Sequence, residues 1–158
     1  MLPNFESDVV FPKLRPLVRE WDLLLLSANL APGSDYAAGI KRVLPLYDNL
    51  LTREWLMMFL NDLGVEKEDG HLKFCIEDSA SEPGLKRIAA YFKFRRKWKI
   101  KLEERMFVFQ KGEKIRLFFS YRHTSELMHG LLKKARLRSS QAWISKSEEE
   151  EVFLVTSE

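Results

Sequence analysis

Four consecutive leucines, Leu23, Leu24, Leu25 and Leu26, constrain this chain more than any other feature. The run is followed by Ser27, Ala28 and Asn29, then by the turn pair Pro32-Gly33, then by a helical pattern. A continuous apolar run bounded by turn signals predicts a strand, residues 22–27, buried on both faces as in a parallel sheet. A strand end that carries Ser and Asn and leads into a helix is also where open α/β sheets place ligands. Asn29 is therefore a candidate cleft residue, with a turn or capping role as its alternative.

The chain has 158 residues, enough for one domain with a real core. A hydrophobic content of 46% with 12% aromatics excludes a disordered polymer. The net charge of +3 is too small to argue for nucleic-acid binding by itself. The single cysteine, Cys75, excludes an internal disulfide framework and suits a reducing cytoplasm. It stands in the alternating run of Leu72, Phe74 and Ile76 and reads as a strand residue, not a nucleophile. Residues 1–8 have neither the basic start nor the apolar core of a signal peptide. No apolar run approaches the ~20 residues that span a bilayer, so a soluble protein is expected, with no membrane partner. The acidic residues 148–151 read as a solvated approach to a strand.

Taken in order, residues 1–10 read as a loose lead-in, and residues 11–20 as a short helix with Pro16 interrupting it. Residues 36–48 read as a helix that Pro45 kinks or ends. Thr52 is the expected N-cap of a third helix, residues 53–63, stopped by Gly64. The character changes at Gly70. Residues 71–77 alternate as a strand, residues 80–84 as a turn, and residues 85–94 and 97–109 as two long strands forming an antiparallel pair. Residues 111–113 make a turn into a strand over 113–123, with Phe118 and Ser120 on one face and Ile115, Leu117, Phe119 and Tyr121 on the other. Thr124 caps a helix over 125–135, and residues 142–145 and 152–156 close the chain as strands. The order describes an α/β sheet interrupted by an inserted meander after its first strand.

The segments LLLLSANLAPGSDY, VLPLYDN, GEKIRLFFSYRHTSELMHGLLKKARL, the following Trp143 and the terminal EVFLV are together similar to one family. From about Phe11 onward the chain resembles the C-terminal part of the S-adenosylmethionine-dependent histidine-specific Nα-methyltransferases, the ergothioneine-biosynthesis type. The resemblance implies an α/β fold with an α+β insertion: the C-terminal portion of a Rossmann-like class I methyltransferase sheet, residues 11–35 and 120–158. Residues 36–119 would be an inserted antiparallel substrate domain within the single unit 1–158. It also implies site residues. Tyr47 falls on the family's carboxylate-contacting tyrosine. Ser120 falls on a serine that reaches the imidazole, and Ala90 on a methionine lining the pocket. Phe118 stands where the family has a glutamate.

Two departures shape the expectation. The seven glycines are scattered, and none forms the glycine-rich loop that lets backbone approach the methyl donor closely. The chain is therefore expected to be a substrate-side fragment, inactive alone and not binding S-adenosylmethionine tightly, whose partner is a missing N-terminal donor-binding half. Phe118 cannot accept an imidazole N–H, which makes histidine a poor acceptor and leaves another amino acid or small amine. The strand over 22–27 would leave one edge open, covered by self-association or by the N-terminal segment. The alternative is a non-catalytic module that uses the basic stretch 86–101, where Lys and Arg alternate with Tyr91, Phe92, Phe94 and Trp98, for nucleic acid or a protein partner. His71, His123 and His129 lack metal-ligand spacing, so no metal is expected.

Overall fold

A computed structural model of the chain describes residues 2–158. In chain order its elements are α1 (Ser7–Leu14), β1 (Leu24–Asn29), α2 (Tyr36–Tyr47), α3 (Leu50–Asp62), β2 (Gly70–Asp78) and β3 (Lys86–Phe94). There follow β4 (Trp98–Leu102), β5 (Arg105–Phe109), β6 (Lys114–Arg122), α4 (Ser125–Lys134), β7 (Leu137–Ile144) and β8 (Glu150–Ser157). The strands form three sheets, ordered β1-β8-β7, β2-β3-β6 and β4-β5. The chain divides into two compact units. The first comprises the chain up to Val43 with Ile76–Ile88 and Ser120–Glu158; the second comprises Leu44–Cys75 and Ala89–Phe119. No helix among the described residues is long and apolar enough to cross a membrane.

In the first unit the leucine run does not become a doubly buried strand of a parallel sheet. β1 pairs antiparallel with β8, Leu24 opposite Val155 and Asn29 opposite Glu150, and stands at the edge of its sheet. Alternation decides which leucines count. Leu24 and Leu26 pack with Ala28, Phe153 and Val155 on the core, while Leu23 and Leu25 point outward at 67% and 66% exposure. The remainder of that core comes from α4 (Met128, Leu131, Leu132), from Leu137, and from the N-terminal segment (Leu2, Phe11, Val18). The expected loose lead-in is thus a packed one, with α1 beginning at Ser7 and giving way at Arg15 to a single turn that holds Pro16. Thr124 caps α4 as its sequence suggests, accepting from the Leu127 N–H at 3.1 Å.

In the second unit α3 starts three residues before the expected position. Asn49, not Thr52, is the N-cap, its side-chain oxygen accepting from the Thr52 N–H at 3.0 Å. The single long strand expected over 97–109 is two: β4 and β5 fold back as an antiparallel hairpin, Trp98 opposite Phe109. The turn falls at Glu103, which adopts a left-handed φ of 53° that a strand-minded reading gives it no reason to take. β3 accordingly neighbours β2 and β6 instead of the segment that follows it. The core gathers Met57 and Leu60 of α3, Val65, Phe92, Phe94 and Ile100.

Gly70 illustrates how closely this second unit packs. A Cβ there would overlap the Lys93 carbonyl oxygen and the Phe92 ring. Gly70→Ala is expected to destabilise the protein by about 1–3 kcal/mol through overpacking. Gly130→Ala, in α4 where a Cβ meets nothing within 4 Å, should instead stabilise it by about 0.5–1 kcal/mol. Urea midpoints of the two variants, moving in opposite directions from the parent, check this.

Candidate functional site

The carboxyl end of β1 and the end of β6 meet in the first unit. The His123 N–H donates to the Asn29 carbonyl at 2.8 Å and the Ala31 N–H to the His123 carbonyl at 2.9 Å, with a parallel bridge between Leu30 and His123. This backbone clasp brings two of the candidate residues together: Asn29 Nδ2 donates to Ser120 Oγ at 3.3 Å. Ser120 is buried and Asn29 half-buried. Around them the chain is held by polar contacts that no local pattern announces. Arg122 Nη1 donates to the Leu30 carbonyl at 3.0 Å. The Tyr36 hydroxyl donates to the Arg122 carbonyl at 2.6 Å and accepts from the Lys86 N–H at 2.8 Å. Burial raises the Tyr36 phenol above its ordinary pKa, the hydrogen bond from the Lys86 backbone opposing and the charge of Asp78 adding to it.

The second unit holds the other candidates. Tyr47 is the last residue of α2, and its ring centroid lies 5.5 Å from that of Phe118 on β6, tilted by 32°. Both are half-buried. Ala90 is fully buried. Alternation along β3 places it on the face of Phe92 and Phe94, which pack with Ile115 and Leu117 of β6. Phe118 occupies the other face of β6, so Ala90 is not brought beside it. The structure therefore assembles two pairs, Asn29 with Ser120 and Tyr47 with Phe118, and leaves Ala90 in the core.

The basic stretch 86–101 does not form one cationic face. Arg87 is buried between Glu6 and Glu77, each oxygen 2.7 Å away. Arg96 pairs with Asp69 and lies 4.9 Å over the Trp98 ring, and Lys86 pairs with Asp78. Alternation of charge and aromatics was visible in the sequence; the carboxylates that pair with Lys86, Arg87 and Arg96 were not. No group of three or more His, Cys, Asp or Glu side chains among the described residues converges to hold a metal ion.

A methyl donor such as S-adenosylmethionine needs backbone that can approach it, and the glycines test that fit. Gly33, with φ 87°, is the glycine of the loop from β1 into α2, and its N–H is spent on the Glu148 carboxylate at 3.1 Å. Gly64, Gly84 and Gly112 serve turns or a helix stop, Gly39 and Gly130 lie within helices, and Gly70 begins β2. Among the described residues these glycines form no glycine-rich loop of the kind that would cradle a donor.

Residues 73–157 match the family described as histidine-specific methyltransferase, SAM-dependent. The crystal structure of an S-adenosylmethionine-dependent methyltransferase from Clostridium acetobutylicum ATCC 824 is similar at 12% identity with a TM-score of 0.39. That similarity covers 96% of this chain and 52% of the other, so the chain spans about half the length of that protein. No curated protein sequence matches the chain. With more than half of its residues inside the family match, the chain belongs to the SAM-dependent histidine-specific methyltransferase family.

Proposed function

We propose that this chain is the substrate side of an S-adenosylmethionine-dependent N-methyltransferase whose acceptor is an amino acid or related small amine other than histidine. In this reading β1, α4, β7 and β8 are the end of a Rossmann-like sheet, and the insertion carries acceptor-binding residues. S-adenosylmethionine supplies the methyl group in such a family; because the glycines here make no cradle for it, the donor is assigned to residues outside this chain, which acts in the cytoplasm. The part left to these residues is orientation. An ammonium must lose its proton before its lone pair can attack, and a carboxylate-bearing acceptor must be held so that the lone pair points at the methyl carbon. In the first unit Asn29 and Ser120, and in the second unit Tyr47, each have donor and acceptor atoms of the kind such a polar end needs.

The observation that carries the reading is Phe118. It presents a ring, packed against Tyr47, where the family resemblance puts a carboxylate. A ring there favours an apolar side chain on the acceptor and leaves an imidazole N–H without a partner. Calorimetric titration of the chain with L-histidine, L-phenylalanine, L-leucine and L-methionine tests this. An apolar amino acid is expected to bind more tightly than histidine, and Phe118→Glu is expected to reverse the order by at least about tenfold in Kd ratio. Tightest binding of histidine by the parent chain, or an unchanged order in Phe118→Glu, would sink the assignment.

A further inference from the structure

The second unit carries a groove of about 820 Å³ that the methyltransferase reading does not use. Its floor is the outer face of the three-stranded sheet: His71, Lys73 and Cys75 from β2, Tyr91 and Lys93 from β3, and Lys114 from β6. Val108 and Phe109 of the β4–β5 hairpin make one wall, and the turn through Gly112 and Glu113 makes the rim. The volume is within the ordinary range for small-molecule sites.

The charge of this groove is lopsided. Lys73, Lys93 and Lys114 come from three neighbouring strands, and none has an ion-pair partner among the described residues. The Phe94 N–H donates to the Glu113 carbonyl, which sets Lys93 beside Lys114, and the Arg95 N–H donates to the Asp69 carbonyl, which sets Lys93 beside His71. Like charges placed opposite one another across a sheet are destabilising. The one acidic lining residue, Glu113, has its carboxylate turned to the Gln110 N–H at 2.7 Å. All three lysines are exposed, and they differ from Arg53, Lys86, Arg87 and Arg96, each of which has a carboxylate partner. The groove also offers flat apolar surface. Lys114 Nζ lies 4.1 Å from the Tyr91 ring centroid, and Phe109 is fixed by stacking on Phe94 at 4.7 Å.

From three unpaired ammonium groups converging on a concave, partly aromatic surface we infer that this groove binds a small organic polyanion, one carrying two or more phosphate or carboxylate groups beside a flat ring. Charge-assisted hydrogen bonds from the lysines hold the anionic end and the Tyr91–Phe109 side holds the ring. Only Lys93 of this set lies in the basic stretch that the sequence draws attention to; Lys73 and Lys114 join it through the sheet.

The test is calorimetric titration of the whole chain at low salt with ATP and with inorganic tripolyphosphate. Both are expected to bind, ATP more tightly, with affinity falling as salt rises. The triple variant Lys73→Gln, Lys93→Gln, Lys114→Gln should weaken ATP binding at least tenfold. The control triple Lys97→Gln, Lys99→Gln, Lys101→Gln removes the same charge from exposed positions of the same unit and should change it less than twofold. Circular dichroism confirms that both triples are folded. Equal losses in the two triples would reduce the effect to net charge and overturn the inference, as would no binding at low salt. Tighter binding of a single-stranded oligonucleotide of about twelve residues than of ATP would also overturn it, in favour of a polymer track.

Discussion

Arg87→Ala is expected to cost about 3–5 kcal/mol of stability, because it strips the cation from a buried cluster and leaves two carboxylates behind. Arg87 is 7% exposed. Its Nε donates to Glu77 and its Nη1 to Glu6, each at 2.7 Å, and Nη1 also reaches the Tyr121 hydroxyl at 3.1 Å. Tyr121 in turn donates to Glu6 and shares a 3.3 Å hydrogen bond with Ser79. Burial works against the guanidinium charge, but the Glu77 hydrogen bond and the surrounding negative groups hold its proton more tightly than usual. Arg87→Lys should recover only part of the loss, since an ammonium cannot reproduce the forked geometry. Urea unfolding of the two variants checks the order; a loss under 1 kcal/mol for Arg87→Ala would show that the cluster does not hold the N-terminal segment.

Acidification should weaken the fold through His123. This residue is 2% exposed, and its Nδ1 has no hydrogen-bond partner. Burial lowers its pKa to about 4, with a hydrogen bond toward the Asn29 backbone opposing the shift and the charge of Arg122 adding to it. The folded state therefore binds this proton less readily than the unfolded chain, whose histidine titrates near 6.5. Its contribution is complete above about pH 6.5 and is lost as pH falls through about 4, a total of about 3 kcal/mol. Thermal midpoints measured from pH 7.5 to 4 should fall more steeply for the parent than for His123→Gln, which carries no titrating proton. Parallel curves would mean that protonation of His123 is not linked to the stability of the fold.

What the sequence made legible was local. The cap at Thr124, the stop at Gly64 and the strand alternation of β2, β3 and β6 follow from propensity and period. The face shared by Phe118 and Ser120 was readable for the same reason. What lay hidden was set by distance along the chain. Glu6 meets Arg87 across 81 positions and Asn29 meets Ser120 across 91, and no window of sequence contains either pair. Arg87 therefore looked like part of a solvated basic run. The leucine run misled differently: four apolar residues in a row fit a doubly buried strand, yet only two of them reach the core. The hairpin break at Glu103 was invisible because Leu102, Glu103, Glu104 and Arg105 contain neither Gly nor Pro to mark a turn.

That hairpin also has a lifetime. At its root Trp98, Ile100 and Phe109 sit on the core, whereas Leu102, Met106 and Phe107 toward its tip are 44–55% exposed. A two-stranded ribbon with so little buried along its outer half opens and closes many times for each unfolding of the whole chain. The amide protons of the tip are therefore expected to exchange sooner than those of the root, which hydrogen-exchange measurements would check. The aromatic wall of the lysine groove grows from that root, so it is expected to open more rarely than the tip.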